Sequence, residues 1–352
     1  MASTRIPVRV WKSKRTYATA GIAVAAMALA ACGSSATSAA TAPSATSTGQ
    51  ATTSAHYHFE LITKSNASPY WLAVKAGADA AAAKLGDTVS FEAPASGTDL
   101  SSQISMFNNA VTTRVDGIIL AAQQPQPLSG PVATAVKGGV PVVTVDSGVT
   151  PTTSDSFIAT SNTKAAAAVC EYGAKLAGGK GNYGIIDFNE ISSTGRARPA
   201  GCQQGMAKYP GFKYVGMQIS NNDIATGKAQ TEAMLTSHPN INLMFGANDR
   251  AALGVAEGVQ ALGKTKQVTV IGFDADLGEV PLIANGTIKG SLLQSPYTMG
   301  YQAVQELVAI KAGKSVPARV DTGTYIVTPQ NVNTTTAKQY LAQYGAATGV
   351  SP

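Results

Sequence analysis

Polar side chains follow the apolar segments of this sequence at intervals typical of strand ends. They are a lysine, amides and carboxylates: Lys64, Gln123, Asp146, Asn189, Glu190, Asn248, Asp249 and Asp274. Each of these groups can fix a hydroxyl as donor or acceptor, and a carboxylate makes the stronger, charge-assisted bond. A single Asn or Asp after a strand most often caps a helix or forms a turn. As a set, these residues favour a site for a neutral ligand rich in hydroxyl groups.

Aromatic and guanidinium groups extend this pattern. Tyr70 and Trp71 open a predicted helix, and their rings could stack on the apolar C–H face of a sugar, although core packing is the competing interpretation. Arg196 and Arg198 begin another helix after the loop 191–195. We expect one of the two to reach the site, because a guanidinium holds two oxygens in its fixed fork.

The sequence contains no recognisable catalytic or metal-binding combination. None of its three histidines has a second His or Cys at metal-ligand spacing, and a Gly-x-Ser-x-Gly elbow is absent. Residues 258–265 match the literal pattern of a nucleotide-binding P-loop, but they end a predicted helix, whereas a P-loop joins a strand to the following helix. We therefore expect a binding protein with no cofactor and no metal, and not an enzyme.

The framework that must position these side chains is a parallel sheet. Short apolar strands alternate with helices, and stretches such as 117–121 are apolar throughout, as in sheets buried on both faces. Strands are predicted at residues 59–63, 88–92, 117–121, 141–145, 183–188, 212–219, 242–245 and 268–272. Open parallel sheets bind ligands at the carboxyl ends of their strands. The pattern predicts an α/β protein with two doubly wound domains, and a closed (β/α)8 barrel is the alternative.

The N-terminus has the pattern of an exported lipoprotein. Residues 1–31 contain five basic residues, no acidic residue and an apolar run at 21–31 that is too short for a membrane-spanning helix, which is typical of a signal peptide. The run ends at Cys32 in the sequence Leu-Ala-Ala-Cys, which looks like a bacterial lipobox; an ordinary cleavage site is the alternative. Residues 33–55 are almost wholly small and polar, so we expect residues 32–55 to form a flexible tether outside the cytoplasm.

Charge and cysteine content narrow the function further. Five of the 26 basic residues lie in the signal peptide, so 21 basic residues face 20 acidic ones in the rest of the chain. A nearly neutral body argues against nucleic-acid binding. Cys170 and Cys202 would be exported to a compartment where a disulfide is plausible, but sequence alone cannot place them within bridging distance. A catalytic thiol is the weaker alternative.

Several segments together resemble the ribose-type periplasmic binding proteins, the solute-binding proteins of sugar ABC transporters. They are Pro69-Tyr70-Trp71 after Lys64, Val145-Asp146-Ser147, and the segments 194–198, 245–249, 271–274 and 293–295, in this order. The resemblance implies two lobes, 56–160 with 295–323 and 161–294 with 324–345, a tail at 346–352, and chain crossings near Thr160, Gln294 and Gly323. It also implies that the ligand contacts Lys64, Ser68, Tyr70, Trp71, Asp146, Ser147, Arg196, Asn222, Asn248, Asp274 and Gln294. We add Gln123 from its placement at a strand end.

Three positions depart from the ribose-type pattern. Ser147 stands where the family has an arginine, Asn222 where it has an aromatic residue, and Lys64 where it has a small hydroxyl residue. These departures put ribose itself in doubt and leave another sugar or a linear polyol equally reasonable.

The lipobox and the resemblance together predict a receptor that is held at the membrane by lipid on Cys32 and delivers a sugar or polyol to an ABC transporter permease. We expect this receptor to be a monomer. A receptor that feeds a sensor or chemotaxis system, and a secreted sugar-modifying enzyme, are the alternatives. A cytoplasmic regulator on the same ligand-binding core would need a helix-turn-helix in place of the signal peptide.

Overall fold

The structure is a computed structural model that describes residues 56–66 and 68–348. The predicted signal peptide, Cys32 and the tether lie outside the described residues. The first elements are β1 (His58–Ile62), α1 (Pro69–Leu85), β2 (Thr88–Glu92), α2 (Leu100–Thr112), β3 (Gly117–Leu120), α3 (Pro125–Lys137), β4 (Val142–Val145) and β5 (Ser156–Ala159).

The next elements are α4 (Asn162–Leu176), β6 (Lys180–Asp187), α5 (Ser193–Met206), β7 (Gly211–Ile219), α6 (Ile224–Ser237), β8 (Ile241–Gly246), α7 (Asp249–Ala261), β9 (Thr269–Asp274), α8 (Val280–Ala284) and β10 (Ile288–Leu293). The described part ends with α9 (Pro296–Lys311), β11 (Arg319–Asp321), β12 (Tyr325–Val327) and α10 (Thr335–Thr348).

The strands form two open, six-stranded sheets. The first has the order β11-β5-β4-β3-β1-β2 and is parallel throughout. The second has the order β12-β10-β9-β8-β6-β7, in which β12 alone runs antiparallel to its neighbour. The predicted α/β fold with two doubly wound sheets is confirmed, and the barrel alternative is wrong. We refer to the first sheet with α1–α3 and α9 as the first lobe, and to the second sheet with α4–α8 as the second lobe.

The chain passes between the two lobes three times. It leaves the first sheet after β5, returns between β10 and α9, and crosses again between β11 and β12. The final helix α10 belongs to neither lobe alone, because Tyr344 joins the apolar core around α1 while Leu341 packs in the core of the second lobe. The sequence assigned 324–345 to the second lobe without this contact to the first.

Local sequence signals place the helices that border the cleft. Ser68 caps α1 by accepting a hydrogen bond from the backbone N–H of Tyr70, and Pro69 stands at its first position. Helix α1 packs against α9 at Gly77, where an added Cβ would come within 1.9 Å of the carbonyl oxygen of Tyr297. This close approach fixes α1, and with it the residues at its N-terminus, against the rest of the first lobe.

The two cysteines that the sequence left unassigned are joined. Cys170 on α4 and Cys202 on α5 form a disulfide, with their Cα atoms 5.3 Å apart. The bond ties the helix that carries Thr194 and Arg198 to its neighbour. Among the described residues no helix is both long enough and apolar enough to cross a bilayer.

The strand predictions missed β5, β10, β11 and β12. Strand β5 follows a Thr- and Ser-rich stretch without apolar alternation, β10 contains Gly290 within it, and β11 and β12 are three residues long. Such short or interrupted patterns carry little signal, and these strands form because the neighbouring strands offer unpaired backbone groups.

Candidate functional site

A cavity of about 230 Å³ lies between the lobes, at the carboxyl ends of the parallel strands. This is where open α/β sheets bind their ligands. Side chains of both lobes line it: Lys64, Ser65, Ser68, Tyr70, Trp71, Ala95, Ser96, Gly97, Thr98, Asp146, Phe188, Asn189, Thr194, Arg198, Asn221, Asn222, Asn248, Asp249, Arg250, Asp274 and Gln294.

We call the lining residues of each lobe a wall of the cavity. An ion pair forms the centre of the wall that the first lobe contributes. Lys64 Nζ lies 3.0 Å from Asp146 Oδ2, and both residues are at least nine-tenths buried. Burial lowers the pKa of Lys64, and Asp146 only partly offsets this. Burial raises the pKa of Asp146, but Lys64, Arg198 and hydrogen bonds outweigh burial and hold that pKa below its usual value. The wall therefore presents an ionised carboxylate beside an ammonium, which suits a ligand that both donates and accepts hydrogen bonds.

Aromatic rings complete this wall. Tyr70 donates its hydroxyl to Asp146 Oδ1 at 3.1 Å, and its ring meets Trp71 edge to face with centroids 4.9 Å apart. Lys64 Nζ lies 5.7 Å from the centre of the Trp71 ring. Phe188 enters the cavity from the second lobe after β6. Aromatic side chains therefore line the cavity from both lobes, as expected for a site that receives an apolar C–H face.

Asp274 is the centre of the second-lobe wall. Its carboxylate accepts hydrogen bonds from Gln294 Nε2 and from the backbone N–H of Asp249, and it lies 3.5 Å from Arg198 Nη1. The Arg198 guanidinium stacks 3.8 Å from the centre of the Phe273 ring and donates to the carbonyl oxygen of Ala247. These contacts hold the Asp274 carboxylate and the Arg198 guanidinium in fixed positions beside the ligand space.

A group of further carboxyls stands behind Asp274. Burial, together with Asp274 and Asp276, raises the pKa of Asp249 to about 7. Burial also raises the pKa of Asp276, and it raises that of the fully buried Glu279 well above its usual value. No set of three His, Cys, Asp or Glu side chains in the described part of the chain is arranged to hold a metal ion.

The backbone at several cavity residues is held in the left-handed region. Four of the six non-glycine residues with positive φ in the described chain line the cavity: Asp146 (57°), Asn221 (53°), Asn222 (60°) and Asp274 (93°). Asn and Asp adopt this conformation more readily than other residues, at a cost that the surrounding structure must offset. The conformation turns the two aspartates at the ends of β4 and β9 into the cavity.

Contacts across the cavity join the two walls. Lys64 Nζ of the first lobe donates to Thr194 Oγ1 of the second lobe at 3.3 Å, and Ser68 Oγ lies 3.5 Å from Asp249 Oδ2. Tyr344 of α10 donates to the carbonyl oxygen of Asp274 at 3.3 Å. The structure is therefore in a closed arrangement of the lobes.

The structure brings together nine of the twelve residues predicted to contact the ligand. Those that line the cavity are Lys64, Ser68, Tyr70, Trp71, Asp146, Asn222, Asn248, Asp274 and Gln294.

The structure does not place Arg196 at the cavity. Its guanidinium is exposed and donates to the carbonyl oxygens of Glu190 and Ile191, outside the cavity, while Arg198 lines it. Positions 194 and 198 lie one turn apart on the face of α5 that meets the cleft, and position 196 points away from that face.

Gln123 and Ser147 do not line the cavity either, because both lie behind the residues that do. Gln123 Nε2 donates to the carbonyl oxygens of Lys64 and Ser96, so it holds the backbone that carries the lining residues. Ser147 is fully buried and donates to Asp146 Oδ2 at 2.9 Å. Each supports a cavity residue and does not line the cavity itself.

Sequence reasoning did not assign the loop 95–98, Phe188 or Arg250 to the site, and it named Arg198 only as the alternative to Arg196. The loop follows β2 and contains the small residues that commonly form turns, so its sequence resembles any surface connection. Phe188 follows β6 directly, and its position one residue after the strand was the available signal. Arg250 follows the capping Asn248 by two residues on α7.

A family model and known proteins match this architecture. The model described as "periplasmic binding protein domain" matches residues 59–315. The D-ribose/D-allose-binding protein of Pseudomonas aeruginosa is 29% identical over 279 residues, which cover 76% of this chain and 86% of that protein. The D-apiose import binding protein of Actinobacillus succinogenes is 29% identical over 246 residues, which cover 69% and 78%.

Solved structures agree in fold. A carbohydrate transporter solute-binding protein from Agrobacterium radiobacter, in complex with D-arabinose, superposes with a TM-score of 0.78 at 31% identity and covers 82% of this chain and 99% of that one. A solute-binding protein from Agrobacterium vitis with bound D-fucose gives a TM-score of 0.78 at 28% identity, with coverage of 81% and 99%.

Proposed function

This chain belongs to the periplasmic binding protein domain family, and on that premise we propose that it is an extracytoplasmic solute-binding lipoprotein that captures a sugar or polyol and delivers it to an ABC transporter permease. The resemblance to ribose-type binding proteins is confirmed. The relatives described above are solute-binding proteins and not enzymes, in agreement with the sequence prediction.

The observation that carries the proposal is the pair of charged centres that face each other across the cavity. Lys64 with Asp146 on one wall and Arg198 with Asp274 on the other are buried, and each pair is held by further hydrogen bonds. Preorganised donors and acceptors of this kind match vicinal hydroxyl groups, and aromatic rings beside them cover C–H faces. The residues at the site provide binding groups on both lobes and need no covalent chemistry.

Binding and closure are coupled in this arrangement. A ligand that contacts both walls does so only when the lobes are closed, so it shifts the open-closed equilibrium by its differential affinity for the closed state. A permease that recognises the closed form would thereby distinguish loaded from empty receptor.

The ligands of the relatives narrow the candidates. The proteins compared above bind ribose, allose, apiose, arabinose or fucose, all monosaccharides. A cavity of about 230 Å³ suits a ligand of that size class. Lys64, Ser147 and Asn222 depart from the ribose-type pattern, which favours a monosaccharide or polyol other than ribose.

Lipid attachment at Cys32 would keep the receptor beside its permease on the tether 33–55. A Cys32→Ser variant should be secreted in soluble form and should lose incorporation of radiolabelled palmitate in bacteria. Palmitate incorporation that survives the substitution would contradict lipidation at this residue.

The direct test is a thermal-shift screen of the mature chain against aldoses, deoxysugars, inositols and linear polyols. A ligand that binds only the folded state raises the melting temperature. Asp274→Ala should then lower the affinity for the hit, measured by titration calorimetry, by on the order of a hundredfold, since it removes a charged hydrogen-bonding group. Asp79→Ala, at a partly exposed position on α1 away from the cavity, is the control. No shift with any member of the panel would contradict the proposed function, and unchanged affinity in Asp274→Ala would contradict the role of Asp274.

A further inference from the structure

The cavity has an inner part and a mouth of different chemistry. Inner side chains such as Asp146, Arg198 and Asp274 are at most 8% exposed. The remaining lining residues are half-buried or exposed: Ala95, Ser96, Gly97, Thr98, Asn189, Asn221, Asn222 and Arg250. We call this second set the mouth. It contains one cation and no carboxylate.

The amide of Asn189 has a fixed orientation. Its Oδ1 accepts hydrogen bonds from the backbone N–H groups of Ile191 at 3.1 Å and Ser192 at 2.8 Å. Backbone N–H groups only donate, so the oxygen must face them. The side-chain N–H groups of Asn189 are consequently left for other acceptors.

The same reasoning fixes Asn222 through Asn248. The Oδ1 of Asn248 accepts from the backbone N–H of Ala251, the N-cap bond of α7, so the Nδ2 of Asn248 must donate. It donates to Asn222 Oδ1 at 2.7 Å. The acceptor atom of Asn222 is thus occupied, and its amide N–H groups remain available at the mouth.

Arg250 adds a charge to these donors. Its side chain has no hydrogen bond and no ion pair with any described residue, although it lines the mouth. The neighbouring exposed acid Asp223 accepts from the backbone N–H and the hydroxyl of Thr226, both at 2.7 Å. A guanidinium with five N–H donors therefore stands beside two amides whose oxygens are engaged.

The pairing of charged side chains around the cavity also singles out Arg250. Lys64 pairs with Asp146, and Arg198 pairs with Asp274, which leaves Arg250 and Asp249. Asp249 already accepts from Asn248 Nδ2 at 2.7 Å, and neither its carboxylate nor that of Asp223 forms a direct ion pair with Arg250, although both act on it electrostatically. Among the charged side chains that line the cavity, Arg250 is therefore the one cation without a direct ion pair in the described part of the chain, and it lies at the mouth.

We propose that the mouth is an anion subsite formed by Arg250, Asn189 and Asn222, and that the ligand is a monosaccharide or polyol bearing a carboxylate at the end that faces it. The inference rests on the proposed function and names the chemical class of its ligand. The hydroxyl-bearing part would occupy the inner cavity, and the acidic group would accept hydrogen bonds from the mouth.

The test uses sets of sugars that differ in one group. Titration calorimetry of the mature protein would compare D-galactose, D-galacturonate and D-galactosamine, then the corresponding glucose set, and finally D-ribose, D-ribonate and ribose 5-phosphate. We expect the carboxylate member of at least one set to bind tenfold or more tighter than its neutral member. A factor of about ten is what one hydrogen bond to a charged group contributes to affinity. Raising the salt concentration should reduce that difference, since the mouth is partly exposed.

Substitution of the mouth cation separates its role from the rest of the cavity. Arg250→Gln should reduce the carboxylate preference to within about twofold of none, because the amide carries no charge. Arg250→Lys should keep part of the preference, and Arg114→Gln, at an exposed position after α2, should keep all of it.

The outcomes are distinguishable from those for the proposed function. If neutral sugars bind and the acids bind equally or more weakly, the anion subsite is overturned while the proposed function stands. Tighter binding of the amino sugar or of the phosphate than of the carboxylate overturns the assigned ligand class, as does a preference that survives Arg250→Gln. If no member of these sets binds and the thermal-shift panel also gives no hit, the proposed function itself fails; if the panel gives a hit, that hit and its carboxylate derivative replace the sets in the same comparison.

Discussion

The two walls of the cavity place buried aspartates in opposite electrostatic surroundings. Asp146 on the first wall and Asp249 on the second are both buried, and burial alone raises the pKa of each. Asp146 has Lys64 at 3.0 Å, and its pKa falls below the usual value. Asp249 faces Asp274 and Asp276, and its pKa rises to about 7. The supply of a cation, and not the degree of burial, decides which carboxylate stays ionised at neutral pH.

The comparison assigns different tasks to the walls. The first wall contains one buried ion pair, in which Lys64 and Asp146 neutralise each other. The second wall has more carboxyls than cations, and it balances them by protonation and by hydrogen bonds from amides and backbone N–H groups. The second wall should therefore respond to pH and to ligand charge, and the first should respond mainly to loss of its own partners.

Removal of the first-wall cation should have the largest effect. Lys64→Met leaves Asp146 buried without its ammonium, which should lower the free energy of unfolding by about 3–5 kcal/mol. Urea denaturation would measure it. Lys75→Met, which removes the partner of Asp79 in a partly exposed pair on α1, should change stability by less than about 1 kcal/mol. Equal effects of the two substitutions would contradict the importance of burial for the Lys64 pair.

Loss of the disulfide, which supports the second wall, should have the next largest effect on stability. Replacing Cys170 and Cys202 by alanine removes the bond between α4 and α5, which are separated by 32 residues at these positions, and should cost about 2–4 kcal/mol. Thermal melting of the variant and of the reduced wild-type protein would measure it. Stability that is the same in the oxidised protein, the reduced protein and the variant would show that packing alone holds α5 in place.

The walls should differ in their response to pH. Asp249 has a raised folded-state pKa, so its contribution is fully present below about pH 4 and is lost as the pH rises through about 7. Asp187, with a pKa raised by burial to about 8, acts in the same direction. The pKa of Asp146 is depressed, so its contribution is lost only in acid, as the pH falls below its unfolded value near 3.8.

Asp249→Asn should therefore flatten the fall in unfolding free energy between pH 5 and pH 7. One proton accounts for at most about 1.4 kcal/mol per pH unit, and chemical denaturation at a series of pH values would resolve that slope. Asp223→Asn, at the exposed cap of α6, should leave the slope unchanged. A slope that is identical in wild type and Asp249→Asn would contradict the assigned surroundings of Asp249.

The smallest effect should come from the contact that joins the walls. Thr194→Val removes the acceptor for Lys64 Nζ across the cavity and should favour the open arrangement of the ligand-free protein by about 1 kcal/mol. The radius of gyration from small-angle X-ray scattering should increase without ligand and return with it. Thr236→Val, at an exposed position on α6, should give the wild-type profile. A ligand-free radius that does not change in Thr194→Val would mean that this bond does not bias closure.

The sequence was most informative where a side chain follows a strand directly. Asp146 directly follows β4 and Asp274 is the last residue of β9, so the strand pattern alone located them. Side chains on helices were harder to assign to the site. The rotation of α5 about its own axis decides whether Arg196 or Arg198 meets the cleft, and the apolar periodicity at the start of α5 is too weak to predict that rotation. Gln123 also follows a strand, but its amide turns back to the backbone, a difference in side-chain direction that spacing does not encode.

The mouth could not be predicted for a different reason. The loop 95–98 and Arg250 belong to different lobes and line the same cavity only in the folded chain, and their sequence separation carries no signal of that arrangement. The free donors of Asn189 and Asn222 follow from hydrogen bonds that exist only in the folded chain. Such networks are properties of tertiary structure and not of local sequence.

The position of α10 has a consequence for engineering an optical sensor. This helix packs on the first lobe through Tyr344, whose hydroxyl reaches the backbone of Asp274 in the second, so its surroundings should change when the lobes separate. Gln339 is exposed on α10, and both cysteines of the described chain are already bonded to each other. A Gln339→Cys variant labelled with an environment-sensitive dye would then carry its fluorophore on a helix that contacts both lobes, and ligand binding should change the emission.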